Sequence, residues 1–204
     1  WLGSEVTLAQ ILANRGRYSV GLSGKWHCGR SHLPQPGFGY WFSTGRTLPP
    51  HRGEHRYRFQ DHILALSGFS SHILTQRALT FLRKRNPRRP FLLVVGHTGT
   101  HSPWKDQPER WSRAYKDATF RDLPEDSPYA FGLPAGEALS VSPDQQRNAL
   151  IQYFAAVSDL DQQVGILIDE LDLQGILDDT VIIYTSDHGL NCGQHGLWGK
   201  GNAT

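Results

Sequence analysis

The sequence has no methionine and only two cysteines, Cys28 and Cys192, in 204 residues. Two thiols are too few for a disulfide framework, and a bridge between them does not follow from their spacing. The lack of methionine, with Trp1 first and no charged-then-apolar leader, leads to the expectation that the sequence begins inside a longer protein. Long hydrophobic runs are also missing. None approaches the roughly 20 residues that cross a bilayer, so no transmembrane segment is expected. Nor is there an excess of charge of one sign, since 21 basic against 19 acidic residues leave +2. A nucleic-acid partner calls for a broad basic stripe with interleaved aromatics. The densest basic cluster, RKRNPRR at 83–89, is short and reads as a solvated helix end whose cations complement the helix dipole. Nucleic acid is therefore not an expected partner. There is no internal repeat and no low-complexity tract.

What is present is a recurring order of helix, strand and polar loop. Thr7 is placed to cap a helix carrying Leu8, Ile11 and Leu12 on one face, with Gly16 to end it. Tyr18 to Leu22 reads as a strand and runs into SGKWHCG, residues 23–29. Residues 30–69 lack a sustained period and read as long loops with room for one small hairpin. A helix is expected over 71–85, stopped by Asn86-Pro87. PFLLVV, 90–95, reads as a strand buried on both faces and runs into GHTGTHSPW, 96–104. A polar, irregular stretch follows to about 141. Ser142, Pro143 and Gln145 then start a helix that extends to Gln174, with Gly175 as its terminator. VIIYT, 181–185, reads as a third buried strand and leads into 186–200. The pattern predicts an α/β domain with a largely parallel sheet. Ligands in such sheets bind beyond the carboxyl ends of the strands. Parallel neighbours would gather Lys25, His27, His97, His101, Asp187, His188 and Lys200 in one pocket.

Each of these residues has a chemical and a structural reading. Asp187 and His188 offer a carboxylate and an imidazole to one metal ion, or they are a turn-capping Asp beside a surface His. Two ligands do not close a site for a hard cation or for zinc. Lys25 and Lys200 lie in Gly-flanked loops that let an anion approach the backbone, and two ammonium groups suit a tetrahedral oxyanion. The alternative is two solvated lysines. His27 and His101 suit general acid–base work near neutrality. His97 also reads as a core histidine and is left out of the site. Cys28 and Cys192 with His27 and His195 form a poor zinc set, because the spacing on the first side is not that of a knuckle. Trp41, Phe42 and Trp104 suit stacking on a sugar or an aryl group, and equally a structural role.

GLSGKWHCG, PFLLVVGHTGTHSPW, YFAAVSDLDQQVGILIDELDLQGILDDT, VIIYTSDHG and GQHGLWGKGNAT, in this order and spacing, resemble the type I sulfatases of the alkaline phosphatase superfamily. The resemblance covers essentially the whole chain. It implies an α/β fold, a mixed and mostly parallel sheet between helical layers, in which residues 1–204 are the central part of one catalytic domain truncated at both ends. It also implies hydrolysis of a small-molecule or glycan sulfate ester by a formylglycine, made from Cys or Ser, whose hydrate attacks sulfur. A divalent cation, usually calcium, assists. By resemblance Asp187 and His188 are half of the metal ligands. Lys25 and Lys200 contact the sulfate, His27 orients the formylglycine hydrate, and His101 binds sulfate or serves the leaving group. The family's Asp-Asp pair and its C/S-x-P-x-R segment do not occur here. Cys28, followed by GRS, and Cys192, followed by GQ, are not the nucleophile. The 204-residue chain alone is expected to be inactive. Rival readings are a phosphate or phosphonate ester hydrolase of the same superfamily and a non-catalytic binder of sulfated glycans. The resemblance is compatible with a periplasmic, secreted or lysosomal protein. Oligomeric state is not legible.

Overall fold

A computed structural model describes residues 5–121, 123, 143–194 and 198–200. The chain divides into two compact units, Trp1–Gly99 with Ser158–Asp179, and Thr100–Val157 with Thr180–Thr204.

The first unit begins with helix α1 (Leu8–Asn14). Thr7 caps it reciprocally: its hydroxyl oxygen accepts from the Gln10 amide and its own amide donates to Gln10 Oε1. Orphan donors of the first turn are thereby satisfied. Strands β1 (Ser19–Gly24), β2 (Tyr40–Ser43), β3 (Arg52–Phe59), β4 (His62–Phe69) and β5 (Phe91–Gly96) form one mixed sheet in the order β4-β3-β2-β1-β5. β1 is parallel to both its neighbours, whereas β2, β3 and β4 pair antiparallel. Residues 30–69 are thus more regular than the sequence reading had them, with β2 and an eight-residue hairpin arm on each side. The hairpin is longer than the small one the sequence allowed for: one arm, RGEHRYRF, is mostly charged and polar, while the other, HILALSGF, holds a short apolar stretch that becomes a strand by pairing with it.

The expected helix over 71–85 is α2 (Ser70–Lys84), whose Leu74, Ala78, Leu79, Phe81 and Leu82 are buried. β5 forms where the apolar run predicted, yet all six of its residues are half-buried rather than enclosed on both faces. The reason is its place at the sheet edge, with β1 as its one neighbour among the described residues.

Helix α4 (Pro143–Leu173) spans both units. Gly175, at φ +65, closes its end as the Gly175 amide donates to Asp172 O and the Ile176 amide to Leu171 O. The expected cap Ser142 lies outside the described residues. Within the first unit α4 meets α2 at two polar rungs. Near one end the buried Asp159 accepts from Ser71 Oγ at 2.5 Å and from His72 Nε2 at 2.9 Å. Near the other, Glu170 Oε2 accepts from Arg83 Nε at 2.9 Å and Nη2 at 2.5 Å. That guanidinium lowers the Glu170 pKa, and the carboxylate raises that of Arg83. Beside the Glu170 rung, Phe81, Leu82 and Leu171 form one apolar cluster. Phe42, Tyr57 and Leu74 form another against the sheet.

The second unit holds α3 (Glu109–Ala114), the first half of α4 and the short pair β6 (Asn191–Cys192) with β7 (Trp198–Gly199). Its aromatic packing centres on Phe154, stacked on Phe120 at 5.4 Å and tilted against Tyr115 at 5.7 Å. Arg147 donates to the carbonyls of Lys116 and Ala118 and ties that loop to α4. The third strand expected at 181–185 is not formed. No ladder among the described residues includes this segment, and Val181, Ile183 and Tyr184 are 87%, 81% and 73% exposed. An apolar run becomes a strand only when a neighbour takes up its backbone hydrogen bonds.

Candidate active site

Lys25 owes its place to two glycines. Gly24 ends β1 at φ +133, and a Cβ there would lie 2.2 Å from Gly96 O. A Cβ on Gly96 would lie 2.4 Å from Lys25 O. Without side chains the parallel strands close at their carboxyl ends, and the Lys25 amide donates to Gly96 O at 2.8 Å. Trp26 then packs edge-on against Phe38 at 5.4 Å and Trp41 at 5.6 Å. Lys25 is half-buried and His27 exposed on either side of that anchor. Sequence reading took the glycine before Lys25 as room for an anion at the backbone, whereas here Gly24 and Gly96 give that room to each other's strand.

His97 follows β5 directly. Both its ring nitrogens are shielded from solvent and lack a hydrogen-bond partner. Burial pushes its pKa down to about 4, against a weaker opposing pull from Asp159, so the ring is neutral. The ring is shielded while the residue as a whole is half-buried. Trp41 and Phe42 are fully buried and do not face a ligand. Trp104 packs edge-on against Tyr153 at 6.4 Å and donates from Nε1 to Thr100 O at 2.9 Å.

In the second unit the loops bring His101, His188 and Lys200 together. His101 Nδ1 lies 2.7 Å from Ser102 O. A carbonyl only accepts, so Nδ1 carries the proton and Nε2 of the neutral ring holds the lone pair. Lys200 Nζ donates to that Nε2 at 3.1 Å. The same argument assigns His188, whose Nδ1 donates to Gly189 O at 2.9 Å. Its Nε2 lies 3.5 Å from Lys200 Nζ and 3.6 Å from Asp187 Oδ1. Asp187 Oδ1 and His188 Nε2 are thus a carboxylate oxygen and an imidazole lone pair at a separation that two ligands of one cation share. The donor types fit a divalent ion but supply only part of its shell. Among the described residues no three His, Cys, Asp or Glu gather as a metal group.

Both cysteines are free thiols. Burial raises the Cys192 pKa to about 11, which keeps it protonated and poorly nucleophilic. His195 of the rival zinc set lies outside the described residues.

A sheet whose parallel strands end in Lys- and His-bearing loops has the layout of an α/β enzyme. The profile of the Sulfatase family matches residues 3–204. The chain belongs to the sulfatase family. It is 34% identical over 125 residues to the choline-sulfatase of Rhizobium meliloti, covering 56% of this chain and 24% of that protein. It is 33% identical over 148 residues to the iduronate 2-sulfatase of Homo sapiens, covering 62% and 26%. A structure solved with its substrate D-glucosamine-2-N,6-O-disulfate superposes with a TM-score of 0.74 at 22% identity, over 97% of this chain and 52% of that one. The chain therefore spans about a quarter of these two curated relatives and half of the solved structure.

No helix among the described residues is long and apolar enough to cross a membrane.

Proposed function

We propose that this chain is the central part of a sulfuric ester hydrolase in which Lys25, His101 and Lys200 handle the sulfate group, His27 orients the nucleophile, and Asp187 and His188 hold part of a divalent cation, calcium by family resemblance. Membership of the sulfatase family supports the reaction class. The observation that carries the site is the Lys200 ammonium 3.1 Å from His101 Nε2, on two loops far apart in sequence.

Attack on a sulfate ester brings negative charge onto oxygens that fixed cations neutralise. Lys200 already points an N–H at a lone pair, so an arriving sulfate oxygen takes over a donor that is in position. Lys25, half-buried at the close of β1, supplies a second ammonium from a rigid strand end. His101 holds Nδ1–H on Ser102 O, which leaves Nε2 as the atom that takes and returns a proton, the role a departing alkoxide needs filled. A divalent cation held by Asp187 and His188 would add charge neutralisation, and His27 would orient the hydrate of a formylglycine supplied by the longer protein.

Lys200→Ala in the longer protein should lower turnover of an aryl sulfate about 100-fold or more. An unchanged rate would remove Lys200 from the site. The isolated 204-residue chain is expected to turn over no sulfate ester. Comparing sulfate, phosphate and phosphonate esters of one alcohol tests the reaction class, and a preference for a phosphorus ester would overturn it.

A further inference from the structure

The basic run RKRNPRR at 83–89 is only partly taken up by the fold. Arg83 is held by Glu170, whose other carboxylate oxygen accepts from Gln174 Nε2 at 2.7 Å. Arg85 Nη1 donates to Leu82 O and to Gln174 Oε1, the latter at 2.5 Å, and its guanidinium lies over the Phe91 ring at 4.8 Å. Lys84 and Arg89 are exposed and make no side-chain hydrogen bond or ion pair among the described residues.

Lys84, Arg85 and Arg89 line one cleft of about 410 Å³. Their placement follows from the chain. Lys84 and Arg85 come three and four residues after the buried Phe81, so the face of α2 that packs on Gly21 of β1 ends in two cations. The Ser19 amide donates to Pro90 O at 2.8 Å, which sets Arg89 beside the start of the same strand. Tyr18, Ser19, Gly39 and Tyr40 contribute to the lining, so the cleft lies at the amino ends of β1, β2 and β5, the opposite end of the sheet from Lys25.

Cations at a helix end answer its dipole, which accounts for the run in α2 but not for the gathering of three cations in a cavity. No described lining residue is acidic. Arg85 Nε is shut off from solvent and has no acceptor, so this charge is short of compensation. Burial accordingly lowers the Arg85 pKa, against a weaker pull from Glu170.

We propose that the cleft binds a hexose-sized ligand through a sulfate or phosphate ester, as an anion site separate from the candidate active site. Three cations without an acid among them match a tetrahedral oxyanion. The volume lies in the range of small-molecule pockets, and Tyr18 supplies ring surface for a sugar.

The test follows Lys84 in the longer protein, as its rate of acetylation by N-hydroxysuccinimidyl acetate read by peptide mass spectrometry, with the exposed Lys116 as reference. Millimolar glucose 6-sulfate or glucose 6-phosphate, confirmed intact afterwards, should slow acetylation of Lys84 and leave Lys116 unchanged. Protection by one ester alone supports the site and tells which ester it takes. Glucose should have no effect. Arg89→Gln should raise the ester concentration for half-protection about tenfold, through loss of one charged contact. Gly39→Leu tests the cavity rather than the charge. A Cβ at Gly39 meets nothing nearer than Val20 O at 3.9 Å, so the backbone accommodates a side chain that occupies the cleft. Protection should then vanish with all three cations in place. No protection by either ester, equal protection by glucose, or undiminished protection in Gly39→Leu would overturn the proposal. Should Gly39→Leu lose its near-UV circular dichroism, Arg89→Gln decides, and an unchanged half-protection concentration overturns the site. Turnover is not read, so this result and the sulfatase reading stand or fall separately.

Discussion

Lys25 and Lys200 reach their loops by different physics. Lys25 leaves a strand whose Val20, Leu22 and Ser23 are buried and whose end is clamped by a backbone hydrogen bond between glycine-bared strands. Lys200 follows a two-residue strand and is held by side-chain contacts, to His101 and His188, near a segment whose apolar residues stand in solvent. Backbone pairing and burial fix the first. Particular hydrogen bonds fix the second, so single atoms matter more there.

The contrast gives ordered expectations for stability. Leu22→Ala, at a fully buried β1 position, should cost about 3 kcal/mol in urea denaturation. A loss below about 1 kcal/mol would mean that β1 is not the core strand described. Asp159→Ala removes the buried acceptor of Ser71 and His72 and should cost about 2 kcal/mol. An unaltered midpoint would show that the apolar cluster between α2 and α4 suffices.

His97 provides a pH test of the same frame. Its folded pKa, about 4, lies below the ordinary value of about 6.5. As pH falls through about 6.5 the unfolded chain takes up a proton that the native ring refuses until about 4, so its contribution to stability is lost across that window. His97→Phe should flatten the stability curve between those values, and an identical slope would show that the ring is not buried neutral.

Ile183→Ser should change stability by no more than about 0.5 kcal/mol, because the side chain is 81% exposed. A large loss in this chain would reveal that 181–185 is packed after all, and would erase the difference between the two regions.

The helices were legible because their signals are local. Thr7 as a cap, the Asn86-Pro87 stop and Gly175 as a terminator depend on near neighbours alone. β1 and β5 were legible as short apolar runs. The β3–β4 hairpin was legible only as room for a small one, since RGEHRYRF is mostly charged and polar and each arm gains its stability by pairing with the other. The candidate site was legible as residue types on strand-end loops, while its pairings were not: nothing in the spacing of His101 and Lys200 says that they meet.

By itself the sequence determined the α/β order, the long fourth helix, the sulfatase likeness and the polar loops after β1 and β5, because propensity, capping and apolar periodicity act over a few residues. The tertiary structure alone decided that β5 has one neighbour among the described residues, that VIIY stands exposed, that Trp41 is core and the His97 ring shielded, and that Lys200 donates to His101. Those facts depend on which distant segment lies alongside, and hydrogen-bond partners and burial are properties of that proximity.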